Sequence, residues 1–141
     1  MISENLRAMT AKLKKQGLMY FLPGASEAQI AAFEAKTGVA LPRKFKEWLE
    51  FTDGGELYLP GGVQFYGVAH KPFIDVNDPD RLNENYVVIG AMASGDPILF
   101  EKGTEKVSIY NHEAGRIEPD ETFEDFFAFV DGLYDLLEIG G

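Results

Sequence analysis

The sequence predicts an α+β fold: a mostly antiparallel, twisted sheet flanked by N-terminal helices and a C-terminal amphipathic helix. Two observations carry this. Apolar residues recur at helical spacing up to residue 52, give way to short β-rich runs broken by glycine and proline turns, and return to helical spacing from residue 123. The closing stripe is the most regular in the chain. Phe123, Phe126, Phe127, Val130, Leu133, Tyr134 and Leu137 share one helical face, with Glu124, Asp131, Asp135 and Glu138 opposite.

The elements follow in order. Ile2, Leu6, Met9 and Leu13 mark a first helix, with Lys12, Lys14 and Lys15 where cations suit its dipole and Gly17 as its stop. Leu18 to Leu22 is a short apolar segment closed by Pro23-Gly24. Ser26 and Gln29 have the spacing of a capping box, worth about 1 kcal/mol for the cap alone. Ile30, Phe33 and Thr37 then share a face, and Gly38 ends this second helix. Pro42 suits the first position of a third helix, where its missing N–H costs nothing. Phe45, Trp48, Leu49 and Thr52 form the apolar side of that helix, and Asp53-Gly54-Gly55 ends it.

Strands are expected from there. Leu57 to Leu59 and Val63 to Tyr66 flank Pro60-Gly61-Gly62 as a hairpin. Phe73 to Val76 reads as a further short strand, and Asn77 to Asn85 as a polar loop. Tyr86 to Ile89 is a β-rich run ended by Gly90. Asp96 to Glu101 and Lys106 to Tyr110 are joined by the hairpin loop Lys102-Gly103-Thr104-Glu105, and Arg116 to Glu118 is a last short strand. Thr122 is placed to cap the final helix, with Asp125 three residues on.

With 141 residues, 45% hydrophobic and 26% charged, the chain has the size and composition of one folded domain. The absence of cysteine excludes disulfides, iron–sulfur clusters and thiolate zinc sites, and fits a reducing compartment. The apolar runs are only a few residues long and no secretory pattern is visible, so the expected location is the cytoplasm, away from membranes. The net charge of −10 is uneven: residues 1–50 balance at +3, residues 51–112 at −5 and residues 113–141 at −8. Such acidity opposes direct contact with a nucleic-acid backbone and steers a basic partner inward.

Motifs for chemistry are sparse. His70 and His112 lack the spacing of a metal pair, although Asp96 or Glu113 could be imagined beside them. Ser94 lacks the flanking glycines of a nucleophile elbow, and neither Gly54-Gly55 nor Gly61-Gly62 belongs to a phosphate loop. Asp75, Asp78, Asp80 and Glu84 cluster in one stretch, but a calcium loop would need its glycine and distal glutamate in register, and they are not. A solvated acidic loop open to a basic partner is the better reading.

The run Ile30-x-x-Phe33-Glu34, Gly38-x-x-Leu41-Pro42-x-x-Phe45-Lys46-x-Trp48-Leu49 and Asp53-Gly54-Gly55 resembles the opening signature of the SUKH superfamily. That group comprises bacterial toxin-immunity proteins related to a fungal cell-wall assembly regulator. Phe65-Tyr66-Gly67, Val88-Ile89-Gly90, Ser94-Gly95-Asp96-Pro97-Ile98 and Val107-x-x-Tyr110-Asn111-His112-Glu113 resemble its strand region, and Thr122-Phe123-x-x-Phe126-Phe127 its final helix. The chain departs from the pattern at Asp53, where members often have Asn, and in a shorter loop around Gly95.

The resemblance implies one SUKH-like domain over residues 1–141, with a family-like core at about 26–130 behind an N-terminal helix. It also implies a non-catalytic immunity protein that binds a basic, nucleic-acid-targeting toxin domain and needs no cofactor. A general interaction or regulatory module without a toxin is the alternative, and a small carboxylate-dependent hydrolase a remote one. Acidic loops and the last helix supply the candidate partner contacts: Asp75, Asp78, Asp80, Glu84, Asp96, Glu124, Asp131 and Asp135.

Overall fold

The computed structural model describes residues 4–16, 19–58 and 62–136. Among these residues, four helices, α1 (Glu4–Gln16), α2 (Glu27–Thr37), α3 (Arg43–Phe51) and α4 (Phe126–Leu136), accompany seven strands. The strands are β1 (Met19–Tyr20), β2 (Glu56–Leu57), β3 (Val63–Phe65), β4 (Tyr86–Met92), β5 (Pro97–Glu101), β6 (Val107–Asn111) and β7 (Arg116–Phe123). Each strand pairs antiparallel with the next, so sequence order and sheet order coincide. The protein is α+β with helices flanking an antiparallel sheet.

Helices α1 and α3 bury the faces their spacing announces, whereas α4 buries Phe126, Val130 and Leu133 of the predicted stripe together with Phe129, which the stripe omitted, and leaves Phe127 half-buried and Phe123 in β7. Leu6, Met9 and Leu13 of α1, Phe45, Trp48 and Leu49 of α3, and Phe126, Phe129, Val130 and Leu133 of α4 enter one core. The sheet contributes Val63, Phe65, Val87, Ile89, Ile98, Phe100, Val107 and Ile109 to it. These alternate along their strands, as a pleat requires. Val88 and Leu99, which pair across β4 and β5, are also buried but lie outside this cluster, on the opposite face of the sheet. Phe65 is the sheet's main anchor, with ring centroids 5.8 Å from Trp48 and 5.1 Å from Phe126.

The predicted α2 cap is present in full: the Ser26 hydroxyl accepts from Gln29 N and the Gln29 side chain accepts from Ser26 N. Gly38 closes the helix in the left-handed conformation. Pro42 is the cap residue of α3, one position before the expected one.

Four expectations need correction. Phe73 to Val76 forms no strand; Phe73 makes a single bridge to Gly67. Gly90 does not end β4, which continues to Met92 through a bulge between Val88 and Gly90. The last strand runs on to Phe123, so Thr122 pairs with Ser108 in the sheet and does not cap α4. Asp125 is the cap instead, its Oδ1 accepting from Ala128 N at 2.8 Å. Ile2, Gly17, residues 59–61, Leu137 and Glu138 lie outside the described residues.

Burial pushes the Asp125 carboxyl up, but the Ala128 N–H, the Lys44 ammonium at 3.0 Å and the Phe127 N–H together hold it below its ordinary 3.8. A depressed native pKa adds stability above the unfolded value and loses it as pH falls through the native one. Asp125→Ala is therefore expected to cost about 1 kcal/mol near neutral pH. The gap to the parent protein should narrow progressively below the ordinary carboxyl value of 3.8. Urea midpoints measured across that range would check it.

Candidate functional site

The end of α3 builds an unusual polar feature. After Thr52 the chain turns through Gly54 and Gly55, both with positive φ (112° and 87°). This turn leaves the Asp53 side chain fully buried. Its Oδ1 accepts from Val68 N at 2.8 Å, and its Oδ2 from Ala69 N and His70 N, each at 2.7 Å. His70 Nδ1 lies 2.9 Å from the same Oδ2. One carboxylate thus holds the backbone of the segment after β3 in a fixed curl. Gly67 permits the approach, because a Cβ there would meet the Asp53 carbonyl oxygen at 2.5 Å. Gly67 N donates to Pro72 O and Ile74 N to Gly67 O, closing the segment on itself.

That curled segment forms one wall of a groove of about 590 Å³. Val68, Ala69, Phe73 and Ile74 face Ala32 and Phe33 of α2 across it. Phe73 is 51% exposed, an unusual state for a phenylalanine. Polar groups sit on the lining as well: Gln29, Lys36 and Thr37 from α2 and Asp75 from the opposite wall. Several already have partners within the fold. Thr37 donates to Phe33 O and accepts from Val39 N, Gln29 accepts from Ser26 N, and Asp75 accepts from Asn77 N. The groove therefore offers mainly carbon surface.

The acidic candidates fall in three places. Asp75, Asp78, Asp80 and Glu84 lie on the segment between β3 and β4, where Asx turns shape the chain: Asp75 accepts from Asn77 N and Asp78 from Asp80 N. Burial, and then the carboxylates of Asp78 and Asp80, raise the Tyr66 phenol, which puts these two acids close to the start of the groove wall. Asp96 lies in the β4–β5 turn, toward the opposite end of the sheet from Glu84, and accepts from both His112 N and His112 Nδ1. Glu124 and Asp131 line a recess between α1 and α4, where Asp131 pairs with Lys12 at 3.0 Å. Asp135 belongs to α4, but its side chain lies outside the described residues.

Sequence reasoning named Asp53 as part of a helix stop, His70 as a histidine without a metal-pair spacing and Phe73 as a strand residue, but it missed that Asp53 meets His70 and that Phe73 is exposed. The Asp53-Gly54-Gly55 run signals only a helix stop, because its hydrogen-bond donors are 15 to 17 residues further on. The Asp53–His70 pair has the form of the orienting half of a hydrolytic triad. No described hydroxyl hydrogen-bonds to the other nitrogen of His70. Among the described residues, no three His, Asp or Glu side chains are grouped to hold a metal ion. No described helix is long and apolar enough to cross a membrane.

The family model described as SMI1/KNR4 (SUKH-1) matches residues 24–131. The chain belongs to the SUKH-1 family. No curated protein matches it. The part that is SUKH-1 by sequence includes α2, the Asp53 turn and the 67–76 segment, hence both walls of the groove. Helix α1 precedes it and packs against α4, which is the SUKH-1 portion's last element.

Proposed function

We propose that this SUKH-1 chain is a non-catalytic binding protein that neutralises a cognate toxin by direct contact in the cytoplasm. The family match over residues 24–131 carries the reading. Two features support it. Its buried polar side chains act in the fold: Asp53 holds the curl after β3, and the Thr52 hydroxyl accepts from Leu22 N at 2.8 Å. The net charge of −10 suits a basic partner, and enzymes acting on nucleic acids carry basic clefts. An acidic inhibitor can occlude such a cleft in place of phosphate.

Affinity capture from the source cell's lysate, eluted along a salt gradient with the bound proteins identified by mass, tests this. A basic toxin domain released at moderate salt is the expected result, since exposed charge pairs weaken as the Debye length shrinks. Recovery of a housekeeping complex in its place would transfer the protein to the regulatory reading.

A further inference from the structure

We infer that the groove between α2 and the 67–76 segment is the partner-recognition site. Its occupant is an apolar side chain, aromatic or branched, carried on a basic segment of the partner protein. This rests on the binding-protein reading above and adds where contact is made and by what chemistry.

Three observations support the assignment. The first is the lining. Phe33, Val68, Phe73 and Ile74 present carbon, and at about 590 Å³ the groove falls within the roughly 300–1,000 Å³ of sites that enclose small ligands or side chains. An exposed Phe73 over such a groove is the kind of ring that anchors an interface.

The second is rigidity. The N–H groups of Gly67, Val68, Ala69, His70 and Ile74 all donate within the fold, three of them to the buried Asp53 carboxylate. A wall held in this way loses little freedom when an occupant arrives, and restricting that loss raises affinity. The same bonding removes these backbone donors from an anion.

The third is charge. The segment that forms the wall continues into Asp75, Asp78, Asp80 and Glu84, against Lys71 and Arg81. Lys36 contributes one cation from α2. The balance along residues 66–85 is acidic, on a chain that is itself at −10. Lysine or arginine beside the apolar anchor is the complementary pattern.

The test is panning a phage-displayed random dodecapeptide library on the full-length protein. Selected peptides should carry an aromatic or branched apolar residue flanked by Lys or Arg. Synthesised and titrated, they should lose at least ten-fold in affinity for Phe73→Ser and for the double variant Asp78→Lys/Asp80→Lys. Tyr20→Ser, at a 53% exposed aromatic on strand β1, should bind as the parent does. Because Phe73 is half exposed, its replacement leaves the core intact, and circular dichroism would verify that.

Peptides that bind Phe73→Ser unchanged, or that lack basic residues, would overturn the proposal. So would a captured toxin that Phe73→Ser neutralises as well as the parent protein does. If no toxin exists but basic peptides still require Phe73, the groove assignment stands and the toxin-immunity reading alone falls.

Discussion

Replacing Asp53 with alanine should lower the folding stability by about 3–5 kcal/mol, a large share of the roughly 5–15 kcal/mol available to a domain. The carboxylate is fully buried and accepts from Val68 N, Ala69 N and His70 N, with His70 Nδ1 as a fourth neighbour. Alanine removes every acceptor at once. Three buried or half-buried N–H groups would be orphaned, each costing about 1–3 kcal/mol if nothing replaces the bond. Some of that would be recovered as the 67–70 curl opens toward water, which is why the whole sum is not expected.

Asp53→Asn should cost less, about 1–2 kcal/mol. Its amide oxygen can take the place of Oδ2, but its NH₂ would then confront the Val68 N–H. Urea unfolding gives the stability, and hydrogen exchange at residues 68–70 locates the loss. An unchanged midpoint for Asp53→Ala would refute the holding role of the carboxylate. If it unfolds the chain outright, Asp53→Asn still reports through the same amides. Loss of the curl should also weaken peptide binding at the groove, since Val68 and Ala69 line it.

Local chemistry was legible. Ser26 and Gln29 close a box over one turn of helix, and Phe45, Trp48 and Leu49 fall on one face at α3's own spacing. The Lys102 to Glu105 hairpin was equally plain, because adjacent residues decide it. Non-local chemistry was not legible. Thr122 with Asp125 matches a helix start, yet Thr122 pairs with Ser108 and Phe123 with Val107, and sheet pairing wins over a cap. Phe73 to Val76 has the apolar, β-rich make-up of a short strand, yet its backbone is committed to Gly67.

The candidate site divides along the same line. Composition drew attention to acids and named the Asp75 to Glu84 stretch, one end of which borders the groove. It also named Asp96, which holds His112, and Asp131, which pairs with Lys12. Charge density in a sequence does not separate a carboxylate with a neighbour in the fold from one open to a partner. The groove itself arises from Asp53 reaching a segment beyond the first hairpin, and no spacing rule encodes that contact.

Trp48→Ala is the change expected to damage the core most, by about 3–5 kcal/mol or more. Trp48 is fully buried at the junction of three elements. Its ring centroid lies 5.5 Å from Phe126 of α4, 5.8 Å from Phe65 of β3, 5.7 Å from Phe51 and 6.2 Å from Phe21. Alanine would leave a cavity that Phe65 and Phe126, themselves packed at 5.1 Å, cannot readily collapse into. The indole also donates from Nε1 to Gly54 O at 2.9 Å, tying the core to the turn that aims Asp53. Trp48→Phe separates the two roles. It keeps most of the apolar volume but leaves the Gly54 carbonyl without that partner, for a cost of about 1–3 kcal/mol. If the indole bond positions the turn, Trp48→Phe should speed hydrogen exchange at residues 68–70 while the amides of β5 and β6 stay protected. Uniform loss of protection would instead assign Trp48 to packing alone.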